Sequence, residues 1–120
     1  MSEVCMYGMS VNGKKENIEK LASYMKGNEK EVLIGVNPEE TYYLYLEEQD
    51  LHVINGGCNH SIELSMLGTD YSYYDEAKDK KYVTYLEKLT KKLNIKVEVS
   101  SDGGDEEFIV NKGVLESIVK

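Results

Sequence analysis

Apolar residues recur along this chain with two different periods, and each change of period marks a boundary between elements. EVCMYGMSV (3–11) is apolar or small on both alternating faces, which predicts a central strand covered on both sides. An NGKK turn follows. Ile18, Leu21, Ala22 and Met25 then recur at helical spacing, with Gly27-Asn28 as the stop. EVLIGV (31–36) predicts a buried strand ended by Asn37-Pro38. TYYLYLEE (41–48) and LHVING (51–56) predict two antiparallel strands about a Gln49-Asp50 turn.

The cleanest alternation comes next. Cys58, His60, Ile62, Leu64 and Met66 fall on one face, and Asn59, Ser61, Glu63 and Ser65 on the other, predicting a strand with one face on the core. After the acidic-aromatic loop GTDYSYYDE, a second helix carries Tyr82, Leu86, Leu89 and Leu93 as its buried stripe. Lys78, Lys80, Lys81, Lys88, Lys91 and Lys92 lie on its wet face. IKVEVSS (95–101) and EEFIVNKG (106–113) predict a hairpin across the turn DGGDEE. The order β-α-β-β-β-β-α-β-β contains a ferredoxin-like βαββαβ plan. The expected fold class is therefore α+β: a mainly antiparallel sheet with extra strands and two helices packed on it. Residues 1–120 form one domain, with no linker, internal repeat or low-complexity segment.

Charge narrows the partner classes. The chain has 22 acidic residues against 14 basic ones, a formal net charge of −8, and all the cations are lysine. Arginine is the preferred residue for bidentate contacts to phosphate and guanine, so its absence from an acidic chain argues against direct nucleic-acid binding. An AT-rich codon bias gives the same lysine excess, so the missing arginine supports this reading without deciding it. No apolar run is long enough for a membrane-spanning helix, and the N-terminus does not read as a signal peptide. The expected setting is the cytoplasm, with Cys5 and Cys58 as reduced thiols. Ten tyrosines stand against one phenylalanine and no tryptophan, clustered in TYYLYLEE and TDYSYYDE. Half-buried sheet faces account for them more readily than a recognition surface does.

GGCNHS (56–61) carries a family resemblance. A cysteine-bearing strand leads to Gly13 before the first helix. Gly56, Cys58 and Ser61 match a Gly-x-Cys-Ala-Trp-Ser-like strand, and Asn111-Lys112-Gly113 matches an Asn-x-Gly-like turn after a strand like LNIKVEVSS. In these features the chain resembles the small YubB-like ferredoxin-fold proteins of phages, plasmids and related mobile elements. It departs from them where they carry tryptophan: Val4 precedes Cys5, and Asn59 and His60 stand for Ala and Trp. The resemblance implies a mobile-element protein acting in a host cytosol, and it makes His60 an aromatic filler.

No catalytic, cofactor or metal site is expected. Residues two apart on a strand lie roughly 6.5–7 Å apart, which is awkward for direct Cys58–His60 bonding, so packing is favoured over a nucleophile or a Cys5-Cys58-His60 metal site. Asn12-Gly13-Lys14 lacks the spacing of a phosphate loop. The favoured function is a non-enzymatic module whose acidic surface docks on a basic surface of a host protein, such as a defence nuclease, in the manner of anti-CRISPR proteins. Its candidate contacts are Glu47, Glu48, Asp50, Tyr71, Tyr73, Tyr74, Asp102, Asp105, Glu106 and Glu107. The alternative is a small-ligand or signalling-nucleotide binder with a tyrosine-lined pocket.

Overall fold

The computed structural model describes residues 4–33, 35–59, 61–68 and 83–119. Six strands are β1 (Val4–Asn12), β2 (Val36–Leu46), β3 (Leu51–Asn59), β4 (Lys96–Ser101), β5 (Glu107–Asn111) and β6 (Val114–Val119). The helices are α1 (Lys15–Met25), the short α2 (Ile62–Met66) and α3 (Leu86–Leu93). The strands form one antiparallel sheet in the order β2-β3-β1-β4-β5-β6.

This sheet corrects the expected ferredoxin-like α+β fold with two helices packed on it. Among the described residues the protein is mostly β, and strand residues well outnumber helical ones. Three local departures produce the change. EVLIGV supplies a single parallel bridge, Val32 to Val83, and joins the sheet only from Val36. β2 then runs through Asn37-Pro38 instead of ending there, with a register shift between Asn37 and Tyr42. A proline is tolerated because β2 is an edge strand, where a missing N–H breaks no ladder. Finally, β6 adds an edge strand that the hairpin reading of 95–113 left out.

The alternating run from Cys58 to Met66 is not a strand either. β3 ends at Asn59, and Ile62–Met66 turns into α2. Ile62 and Met66 are both buried, and a four-residue spacing puts two positions on one side of a strand and one side of a helix alike. The Ser65 hydroxyl donates to the Asn59 carbonyl at 2.5 Å, and the Asn59 N–H donates to Gly35 at 2.7 Å, tying the break in place.

The core lies between one sheet face and the helices. Tyr7, Met9 and Val11 of β1, Ile54 of β3, Val97 and Val99 of β4, and Phe108 and Val110 of β5 form one cluster with α1 and α3. Ile18, Leu21, Ala22 and Met25 are buried on α1, and Leu86, Leu89 and Leu93 on α3, as their spacing predicts. Tyr82 and Lys78, Lys80 and Lys81 lie outside the described residues. Gly27, at φ 75°, ends α1, and Asn94, at φ 55°, ends α3. The opposite face of β1 is not covered as expected. Met6 is 43% exposed, and Gly8 and Ser10 are half-exposed.

Candidate functional site

Cys5 and Cys58 are opposed in the β1–β3 ladder, their Cα atoms 5.3 Å apart, and they form a disulfide. This corrects the expectation of two reduced thiols, and neither sulfur remains as a nucleophile or a metal ligand. The pairing depends on register, which two cysteines 53 residues apart do not reveal. His60 lies outside the described residues. Among the described residues no cluster of three or more His, Cys, Asp or Glu side chains is placed to hold a metal ion.

The glycines of GGCNHS serve the two faces of β3. Gly56 faces the core, where a Cβ would come within 2.9 Å of the Tyr7 hydroxyl and 3.1 Å of its ring. The Tyr7 phenol is buried, and desolvation pushes its pKa up to about 12 against a smaller opposing effect of Thr41. The Thr41 hydroxyl is directed between the carbonyls of Met25 and Asn37, and the Tyr7 hydroxyl makes no hydrogen bond of good geometry among the described residues. Gly57 faces the other way, beneath the Glu40 carboxylate.

A second cluster crosses from β2 to β3. His52 shares a 2.7 Å hydrogen bond through Nδ1 with the Tyr43 hydroxyl, and its ring stacks on Tyr45 at 4.5 Å. Tyr45 donates to Asp50 at 2.8 Å, a bond that raises the Tyr45 pKa, and Lys15 lies over the Tyr45 ring. The Tyr43 pKa is raised by burial and then by the Glu19 charge. The pattern of the two strands held the signal for His52: strands joined by a tight turn bring Tyr45 and His52 opposite each other. The cluster is a packed ladder at the end of the sheet. Asp50, one of the expected partner contacts, is occupied within it.

The remaining acidic candidates do not come together. Glu47, Glu48 and Asp50 turn from β2 into β3 at the Asn12 end of β1. Asp102, Asp105 and Glu106 turn from β4 into β5 at the other end, where the Asp102 N–H donates to the Met6 carbonyl at 2.8 Å. Glu107 belongs to β5 itself. Tyr71, Tyr73 and Tyr74 lie outside the described residues. The tyrosines of TYYLYLEE line no common pocket: Tyr42 shares the face of Asn55, and Tyr43 shares that of buried Ile54.

The larger feature is the sheet face that no helix among the described residues covers. Gly8, Ser10 and Ser100 leave its centre low, forming a shallow groove of about 390 Å³. Val53 and Asn55 border it on one side, and Glu98, Glu107 and Ile109 on the other. Tyr42, Leu44 and Leu46 continue the apolar side along β2, with Leu44 48% exposed. Asn55 donates to the Tyr42 hydroxyl at 3.2 Å, which fixes that rim. Glu98 and Glu107 stand diagonally across the β4–β5 ladder, since Glu98 pairs with Ile109 and Glu107 with Ser100. Such a surface offers apolar contact on one side and paired carboxylates on the other.

Comparison with protein-family models, with curated proteins and with solved structures returns no match for this chain.

Proposed function

We propose that this protein is a non-enzymatic protein-binding module that uses the uncovered sheet face to dock a partner segment bearing both lysine or arginine and apolar side chains. The supporting observation is that groove: a small-residue trough between an apolar rim (Val53, Leu44, Tyr42) and an acidic one (Glu98, Glu107). A sheet face that the described helices leave bare, with exposed apolar residues along one rim, is the kind of surface that marks an interaction site. The net charge of −8 favours encounter with a basic partner. A host nucleic-acid-processing protein, inhibited as by an anti-CRISPR protein, fits the same chemistry. That narrower identity rests on the YubB-like resemblance alone.

No helix among the described residues is long and apolar enough to cross a membrane. The cytoplasmic setting is part of the proposal and meets a chemical condition. The Cys5–Cys58 bond is of a kind that an oxidising compartment maintains and cytosolic reductants open to the dithiol, so it counts against the cytoplasmic part of the proposal. Thiol counting on protein recovered from its native host decides between the two forms.

Affinity capture with the whole chain as bait tests the function. The expected result is one basic protein recovered in stoichiometric amount and lost when Leu44→Glu is combined with Val53→Glu. Recovery that is indifferent to both substitutions removes the groove from the proposal.

A further inference from the structure

Among the described residues β6 forms one edge of the sheet, and it is built differently from the other edge at β2. Edge strands present unpaired N–H and C=O groups, and proteins protect them with proline, bulges or charge. β2 carries Pro38, a register shift after Asn37, and exposed Glu39 and Glu40. β6, Val114–Val119, reads VLESIV; it too has a register shift, opposite Ile109 and Val110, but it carries no proline or lysine, and Glu116 is its single charge. Its apolar residues are poorly covered: Val114 is 60% exposed and Val119 53%. It is anchored by a two-residue turn, with Lys112 at φ 49° and Gly113 at φ 96°, the type I′ geometry that suits a twisted hairpin.

The pattern of β6 is palindromic: two apolar residues, two polar, two apolar. Its facing is palindromic as well. Leu115 pairs with Val110 and Ile118 with Phe108, both buried residues of the helix-covered face. Val114 pairs with Asn111 and Val119 with Glu107, on the open face. The register shift between Ile109 and Val110 is what places Leu115 and Ile118, three apart in sequence, on one face.

We propose that β6 pairs antiparallel with β6 of a second copy of this chain, about a two-fold axis between Glu116 and Ser117, to join two sheets into one of twelve strands. A two-fold interface needs a surface complementary to itself. In this register Val114 meets Val119 of the second copy and Leu115 meets its Ile118, so each apolar residue faces another on the same side of the joined sheet. Glu116 meets Ser117 of the second copy, a hydroxyl donor for a carboxylate that Asn111 already holds at 3.2 Å. The two Glu116 carboxylates are thereby kept from facing each other. A ladder of six residues buries less than the roughly 1,600 Å² of a standard interface, so the dimer is concentration-dependent.

Sedimentation equilibrium on the whole chain, with two charge variants, tests the pairing. The wild type is expected to dimerise at concentrations below about 0.5 mM. Ser117→Glu places like charges opposite each other twice across the axis and should weaken the dimer roughly tenfold, whereas Ser117→Lys meets Glu116 and should tighten it. Both variants should keep the wild-type thermal midpoint when dilute, because the Ser117 side chain is exposed. A wild type monomeric throughout that range overturns the proposal. So does a dimer indifferent to the sign of the charge at 117, or one that dissociates only on Leu44→Glu.

Discussion

Tyr7 packs over Gly56 across the β1–β3 ladder, and the pair gives two residue-level predictions. The Tyr7 pKa lies near 12, above the ordinary value of 10, so folding favours the neutral phenol. The stability from this preference is intact below about pH 10 and is lost as pH rises through about 12, a loss of about 3 kcal/mol. Chemical denaturation between about pH 9 and 12 should therefore show a steeper loss for wild type than for Tyr7→Phe. Equal slopes would remove Tyr7 as the cause. At neutral pH Tyr7→Phe should be close to neutral, because the hydroxyl it removes has no good partner. Gly56→Ala should cost about 1–3 kcal/mol by driving a methyl against the Tyr7 ring and hydroxyl. Combining it with Tyr7→Phe should recover part of that cost. A strictly additive double mutant would show that the two residues are not in contact.

Among the elements, the helices were legible in the sequence and several strands were not, for a physical reason in each case. Ile18, Leu21, Ala22 and Met25 repeat over enough turns to exclude a strand, and α1 forms as their spacing predicts. Ile62 and Met66 alone satisfy both periods, and the backbone breaks at Asn59 to satisfy them as a helix. β6 is not legible in the sequence because half its apolar residues point away from the core, leaving no one-sided burial to read. The disulfide was hidden because it depends on the β1–β3 register. It closes 53 residues, so reducing it should cost about 4 kcal/mol by the chain-entropy estimate, read as the difference in denaturation midpoint with and without reductant. An unchanged midpoint would mean that the unfolded chain gains little freedom from the cut. The β5–β6 turn offers the opposite test. Lys112 holds a left-handed conformation that asparagine adopts more readily, so Lys112→Asn should stabilise by a few tenths of a kcal/mol to about 1 kcal/mol.

At the scale of the whole molecule, the sequence revealed acidity but not its distribution. The acidic residues at 47–50 and 102–106 sit at opposite ends of the sheet, and neither turn borders the groove. Glu98 and Glu107 do border it, and Glu98 sits in a strand whose sequence reads as ordinary alternation. This distribution allows local recognition to be separated from net charge. Glu98→Lys with Glu107→Lys halves the net charge of −8, and so does Glu47→Lys with Glu48→Lys. Both pairs change long-range attraction to a basic partner, and both should slow association at low salt. Only the groove pair also places cations against the partner's own, so it alone should raise the dissociation rate, and that effect should persist at physiological ionic strength, where charges beyond roughly 8 Å are screened. All four residues are exposed, so the fold should tolerate either pair within about 0.5 kcal/mol per substitution. Stopped-flow association and dissociation at two salt concentrations, with the captured partner, separates the cases. If the two double variants behave alike at both salts, charge acts only at a distance and the groove is not where the partner sits.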